Sequence, residues 1–142
     1  MFVKQLTVFL ENRVGSLQEI TDILKDSEIN VFSISLADTS EYGLLRMIVS
    51  DPELGKKVLT DAGISARLTD VIAVRLENRV GTLAELFSII SKAEIGIEYM
   101  YAMATSKTGA MILKTNDPEL TVKTLKNAGI CVLDEETMYN LQ

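Results

Sequence analysis

The sequence predicts an α+β protein built from two tandem βαββαβ units, each an antiparallel sheet with helices on one face. Three observations carry this. LENRVG stands at Leu10–Gly15 and again at Leu76–Gly81, 66 positions later. DPEL at Asp51–Leu54 returns at Asp117–Leu120, and AGI at Ala62–Ile64 returns at Ala128–Ile130, both with the same offset of 66. Three landmarks at one spacing mean two copies of one unit with no net insertion between them. The units are drawn as 1–70 and 71–142.

The elements follow in order. Leu6, Val8 and Leu10 share one parity with Ile72, Val74 and Leu76, the period of a half-buried strand. Next, Ser16-Leu-Gln-Glu19 and Thr82-Leu-Ala-Glu85 have capping-box form, with the hydroxyl as N-cap and the glutamate three residues on. Leu17, Ile20, Ile23 and Leu24 then recur at helical spacing, matched by Leu83, Leu86, Ile89 and Ile90. Two strands should follow over Ile29–Ala37 and Leu44–Ser50, turned by Asp38–Gly43, and over Ile95–Met103 and Ala110–Asn116, turned by Ala104–Gly109. DPEL opens the second helix, with Asp as N-cap and Pro at the first helical position. Gly63 and Gly129 end it, and a last strand follows each. This order is the ferredoxin-like arrangement. Ile64–Glu77 holds no proline or glycine, so one copy runs almost directly into the next. The tail, Thr137–Gln142, aligns with Val71–Leu76 and is read as an extra strand or a frayed end.

Composition narrows the function. A unit of about 66 residues buries only roughly 60% of its unfolded-chain surface and is marginal alone, so fused copies should pack together or extend one sheet. The net charge of −6 divides as −4 over residues 1–70 and −2 over 71–142, with no basic block in either half. A phosphate backbone would be repelled, so no nucleic-acid partner is expected. No stretch approaches the ~20 apolar residues of a membrane span, and nothing resembles a signal peptide, so a cytoplasmic protein without membrane contact is expected. The single cysteine, Cys131, fits a reducing compartment and reads as a small buried residue in a strand.

The fold hosts many functions, so the site must decide. A metal carrier of this topology would want CxxC in the first loop, where ENRVGS stands, and the chain has no histidine. An RNA binder would want aromatics on the central strands, and GLLRMIVS and GAMILKTN have none. No histidine, Gly-rich phosphate loop or nucleophile beside an activating base supports catalysis, and no cofactor is expected. Glu11 and Glu77 read as solvent-facing strand ends.

What remains is the duplicated loop. Gly15, Ser16 and Leu17 are accounted for by a turn into a capped helix, but Asn12–Arg13 and Asn78–Arg79 are not. Backbone N–H groups converge where each loop opens its helix, which suits a carboxylate. Asn adds donors and acceptors, and Arg a carboxylate-matching fork.

ENRVGSL followed by a helix and then EINVFSI resembles the ACT domain, whose usual signature reads D/N-R-P-G-x-L with a G/x-I-N-I/V strand start. The resemblance spans essentially the whole chain as two copies, with Val14 and Val80 where the family usually has proline. It implies a regulatory module that binds a free L-amino acid where two units meet, using the first loop of one and the second-strand start of the other. Carried onto this chain, the loops are Asn12, Arg13, Val14, Gly15, Ser16 and Asn78, Arg79, Val80, Gly81, Thr82. The strand-start asparagine is Asn30 in copy one and Gly96 in copy two, so the loop Asn78–Thr82 with Asn30 is expected to be the better site. Tyr99, Tyr101 and Met103 stand opposite in parity to the helix-facing set and are expected to form an aromatic stripe on the uncovered sheet face, a surface for a homodimer. The reading is a stand-alone amino-acid sensor acting through a metabolic enzyme. Its alternative is a ligand-free regulatory subunit or interaction protein of such an enzyme.

Overall fold

The structure is a computed structural model that describes residues 2–38, 42–104 and 108–142. The middles of the two turns expected at Asp38–Gly43 and Ala104–Gly109 lie outside the described residues. The chain divides into two compact units, one of Lys4–Thr69 and one of Asp70–Gln142 together with Met1–Val3.

In the unit Lys4–Thr69, β1 (Val3–Glu11) leads into α1 (Ser16–Asp26), then β2 (Val31–Asp38), β3 (Tyr42–Val49) and α2 (Pro52–Asp61). The leading part of β4 (Ser65–Leu76) completes the strand order β2-β3-β1-β4. Thr7 Oγ1 and Thr69 Oγ1, 3.2 Å apart, join β1 to β4. The alternation in β1 is the cause of the core. Leu6 and Val8 face the helices and pack with Ile20, Leu24, Leu45, Met47 and Leu59, all at most 1% exposed. Each such side chain contributes about 1.5–3 kcal/mol by leaving water.

The other unit repeats the plan. The trailing part of β4 is followed by α3 (Thr82–Lys92), β5 (Ile97–Ala104), β6 (Gly109–Thr115), α4 (Pro118–Asn127) and β7 (Val132–Leu133). Strand β7 pairs with β4 antiparallel, and β4 with β6 and β6 with β5, so the order is that of the first unit. Its core joins Ile72, Val74, Leu86, Ile90, Leu113 and Leu125, with Phe2 packed against it. The second helices begin as expected: Asp51 and Asp117 each accept the N–H three residues on, at 3.1 Å, with proline at the first position. Gly63 and Gly129 sit at φ +82° and +79° just past the helix ends.

Several expectations need correction. Ser16 and Thr82 are not N-caps. Gly15 and Gly81 are, both at φ +91°, and neither helix has a side-chain cap. The first helices end at a left-handed glutamate, Glu28 (φ 57°) and Glu94 (φ 58°), where no glycine signalled a stop. The tail is neither strand nor frayed. It forms α5 (Glu135–Asn140), capped by Asp134, whose side chain accepts the Thr137 N–H at 2.7 Å. Met138 is fully buried and Leu141 nearly so. Gln142 Nε2 reaches Met103 Sδ at 3.9 Å, and Met103 is 1% exposed. Met103 is therefore not part of an open stripe. The chain's own C-terminus reaches it, and Tyr99 and Tyr101 beside it are half-buried. Cys131, expected in a buried strand, is exposed one residue before β7.

Candidate functional site: the duplicated loop and its cavity

Both copies build the loop with the same bonds. The Arg13 N–H donates back to Glu11 O (2.9 Å) and the Arg79 N–H to Glu77 O (3.0 Å), a tight reversal as the strand ends. Glycine then enters the left-handed region, and its carbonyl accepts the first helical N–H, from Glu19 or Glu85, at 3.0 Å. A Cβ on either glycine would meet nothing within 4 Å, so conformation alone demands glycine here. The hydroxyls turn back into the loop: Ser16 Oγ donates to Glu11 O (2.8 Å) and Thr82 Oγ1 to Arg79 O (3.0 Å). Val14 and Val80, at the family's proline position, point wholly into solvent.

The glutamates expected in a capping box have another role. Glu85 takes both ends of the Arg79 fork, Nη2 to Oε2 at 2.9 Å and Nη1 to Oε1 at 3.2 Å, while Glu77 accepts from Nε at 3.0 Å. In copy one Glu19 holds Arg13 Nη2 at 2.7 Å and Glu11 accepts from Nε at 3.2 Å. The hydrogen bond from Glu85, then that from Glu77, raises the Arg79 pKa, and the Arg79 bond lowers that of Glu85. Arg13 is raised in the same way, by Glu19 first and then Glu11. The fork offered to a ligand carboxylate is thus already held by carboxylates of the same unit. The string E-x-R…E, two before and six after the arginine, was present twice in the sequence as its signal.

The two copies differ in what lies beside the loop. Against Asn78, Arg79, Gly81 and Thr82 opens a cavity of about 720 Å³, walled by Leu76, Leu83, Ala84, Ala102, Met111 and the start of β6. Asn12, Arg13, Gly15 and Ser16 border no cavity like it among the described residues. A smaller cleft of about 320 Å³ touches Arg13 and Ser16 on the side of Gly63, and one of about 240 Å³ touches Arg79 and Thr82 on the side of Gly129.

Asn30 is exposed just before β2, its N–H bonded to Ser50 Oγ at 2.9 Å. At the matching place the Gly96 N–H is held by Asn116 Oδ1 at 3.0 Å. A carboxamide stands at this point in both copies, but in copy two it comes from the end of β6 and is engaged with the backbone.

A family model described as the ACT domain pair matches residues 1–141. The chain belongs to the ACT domain pair family. Protein BT0572 from Bacteroides thetaiotaomicron is similar at 33% identity and TM-score 0.93, covering 99% of this chain and 98% of that one. The regulatory subunit of aspartate kinase from Thermus thermophilus, in ligand-free form, matches at 15% identity and TM-score 0.62, over 88% and 91% of the two chains. That from Thermus flavus matches at 19% and 0.60, over the same shares. The two kinase subunits share the fold. No curated protein matches the chain in sequence. Among the described residues no helix of this ACT pair is long and apolar enough to cross a membrane.

Proposed function

We propose that this ACT domain pair is a regulatory protein rather than a catalyst, binding a free L-amino acid at the loop Asn78–Thr82 and passing that state to a metabolic enzyme in the cytoplasm. The observation that carries the reading is the cavity of about 720 Å³ opening against that loop. The ligand carboxylate faces the N-terminal amides of α3 and the Asn78 carboxamide, where the helix dipole favours negative charge. The ammonium faces Glu77, which also lines the cavity. The loop of copy one, Asn12–Ser16, is the weaker site because no such cavity borders it among the described residues.

The alternative, a ligand-free regulatory subunit of such an enzyme, draws on the Arg79 fork being held by Glu85 and Glu77. A thermal-unfolding scan against each common L-amino acid separates the two. A ligand at about 100 times its Kd stabilises by roughly 2.7 kcal/mol, a rise on the order of 5–10 °C for a chain of this size. A rise with particular amino acids, lost in Asn78→Ala, supports the sensor. A flat response across the panel supports the ligand-free subunit.

A further inference from the structure

The cavity beside Asn78–Thr82 has no equal in copy one among the described residues, although the loops are built alike, and the copies differ at several lining positions, Ala84 for Gln18 and Ala110 for Leu44 among them. Ala102 in β5 stands where copy one has Leu36 in β2. Both positions face the helix side of their sheets, paired with Met111 and Leu45. In copy one the leucine lies beside Gly43, with about half of its surface in solvent. A Cβ placed on Gly43 would meet Leu10 Cδ1 at 3.3 Å and Leu36 Cδ1 at 3.4 Å, and Gly43 is buried. In copy two the equivalent glycine, Gly109, is exposed, and a Cβ there would meet only Leu76 O at 3.6 Å.

The chemistry of the walls is one-sided. The charged groups among the described lining residues are Glu77 and Arg79, both at the loop and bonded to one another. Beyond the loop come Leu76, Leu83, Ala84, Ala102, Met103 and Met111, with Thr108 as a single hydroxyl. A charged side chain placed there would lose hydration without finding a counter-charge. A large uncharged one would bury apolar area in proportion to its size, and the Met111 thioether suits a ring.

We infer that Ala102 opens this cavity and that the site selects an L-amino acid with a bulky uncharged side chain, branched-aliphatic or ring-bearing. The inference rests on the amino-acid-binding reading and narrows it to a ligand class.

Isothermal calorimetry on the full chain tests it, with Leu, Ile, Phe, Tyr, His and Met against Gly, Ala, Asp, Glu, Lys and Arg at neutral pH. At least one member of the first group should bind about tenfold or more tighter than alanine, as one extra methylene in an apolar pocket is itself worth about tenfold or more. Ala102→Leu should weaken that ligand by a comparable factor and Ala102→Val by less. The leucine already occurs at the matching position of copy one, and a melting curve checks that each variant folds. A charged amino acid or glycine binding best, or Ala102→Leu binding like the parent, overturns the inference while the sensor reading stands. Silence across the whole panel overturns both.

Discussion

Arg79 and Glu85 are locked fork to fork, Nη2 to Oε2 at 2.9 Å and Nη1 to Oε1 at 3.2 Å, with about half of each side chain in solvent. Exposed ion pairs of this kind add little to stability, and salt weakens them further. Their consequence here is for binding. Glu85→Gln should leave the melting temperature unchanged within about 1–2 °C. It should tighten carboxylate ligands by up to about tenfold, as the Arg79 Nη groups lose their carboxylate partner while Glu77 keeps Nε, and a like charge is removed. Arg79→Ala should not tighten them. Equal affinities in calorimetry for the parent and Glu85→Gln would show that Arg79 takes no part.

The glycine N-caps make a separable prediction. Gly81→Ala and Gly15→Ala should each cost about 1–3 kcal/mol, the price of holding an L-residue at φ +91°. Because a Cβ meets nothing within 4 Å at either position, serine should cost about as much as alanine. A cost rising with side-chain size in urea melts would point to a clash instead.

Gly55 should behave in the opposite manner. It lies within α2, where alanine ordinarily gains about 1 kcal/mol over glycine. Here the Cβ would stand 2.9 Å from Leu6 Cδ2, the fully buried side chain at the centre of β1. Gly55→Ala is therefore expected to destabilise by about 1–3 kcal/mol from overpacking. A stabilised Gly55→Ala would mean that Leu6 moves freely.

Helix α5 should matter to the whole chain despite its six residues. Met138→Ala removes a fully buried side chain and should cost about 2–5 kcal/mol in denaturant melts. Its Asp134 cap is sensitive to acid. The backbone bond from Thr137 is the main cause holding the Asp134 pKa below its ordinary value. A lowered folded pKa means that the stabilisation is whole at neutral pH and is lost as the pH falls below the ordinary carboxylate range and through the folded value. Amide exchange over Thr137–Leu141 should accelerate in that window. Asp134→Asn, which still caps but does not titrate, should flatten the change, and identical acid profiles would refute this origin.

Cys131 provides a simple check on its exposure. The native protein should react with one equivalent of a thiol reagent at the rate of an accessible thiol, with no unfolding required. Reaction only in denaturant would place the residue in the interior.

Much of this protein was legible as a string, because its signals are local or periodic. The parity of Leu6, Val8 and Leu10 follows from the two-residue pleat, and the offset of 66 exposes the duplication. Asp-Pro-Glu starts a helix by its own bonds, and glycine after Ala62 and Ala128 ends one. These features need no partner from elsewhere in the chain. Ser16-x-x-Glu19 shows the limit. A hydroxyl and a glutamate at capping distance were present, but Gly15 took the N-cap and Arg13 took the glutamate, a competition among neighbours that spacing alone does not rank.

The sequence by itself determined the two βαββαβ units, the caps of their second helices and the loops Asn12–Ser16 and Asn78–Thr82. Only the tertiary structure decided that Arg79 is held by Glu85, that the tail after α5 reaches back to Met103, and that a large cavity opens beside the loop of copy two. The physical reason is the same in each case. Backbone conformation answers to residues a few positions apart, whereas free volume and ion pairing depend on which side chains arrive from distant elements. Ala102 is one letter in the string, and it lines a cavity only where Leu76, Leu83 and Gly109 stand beside it.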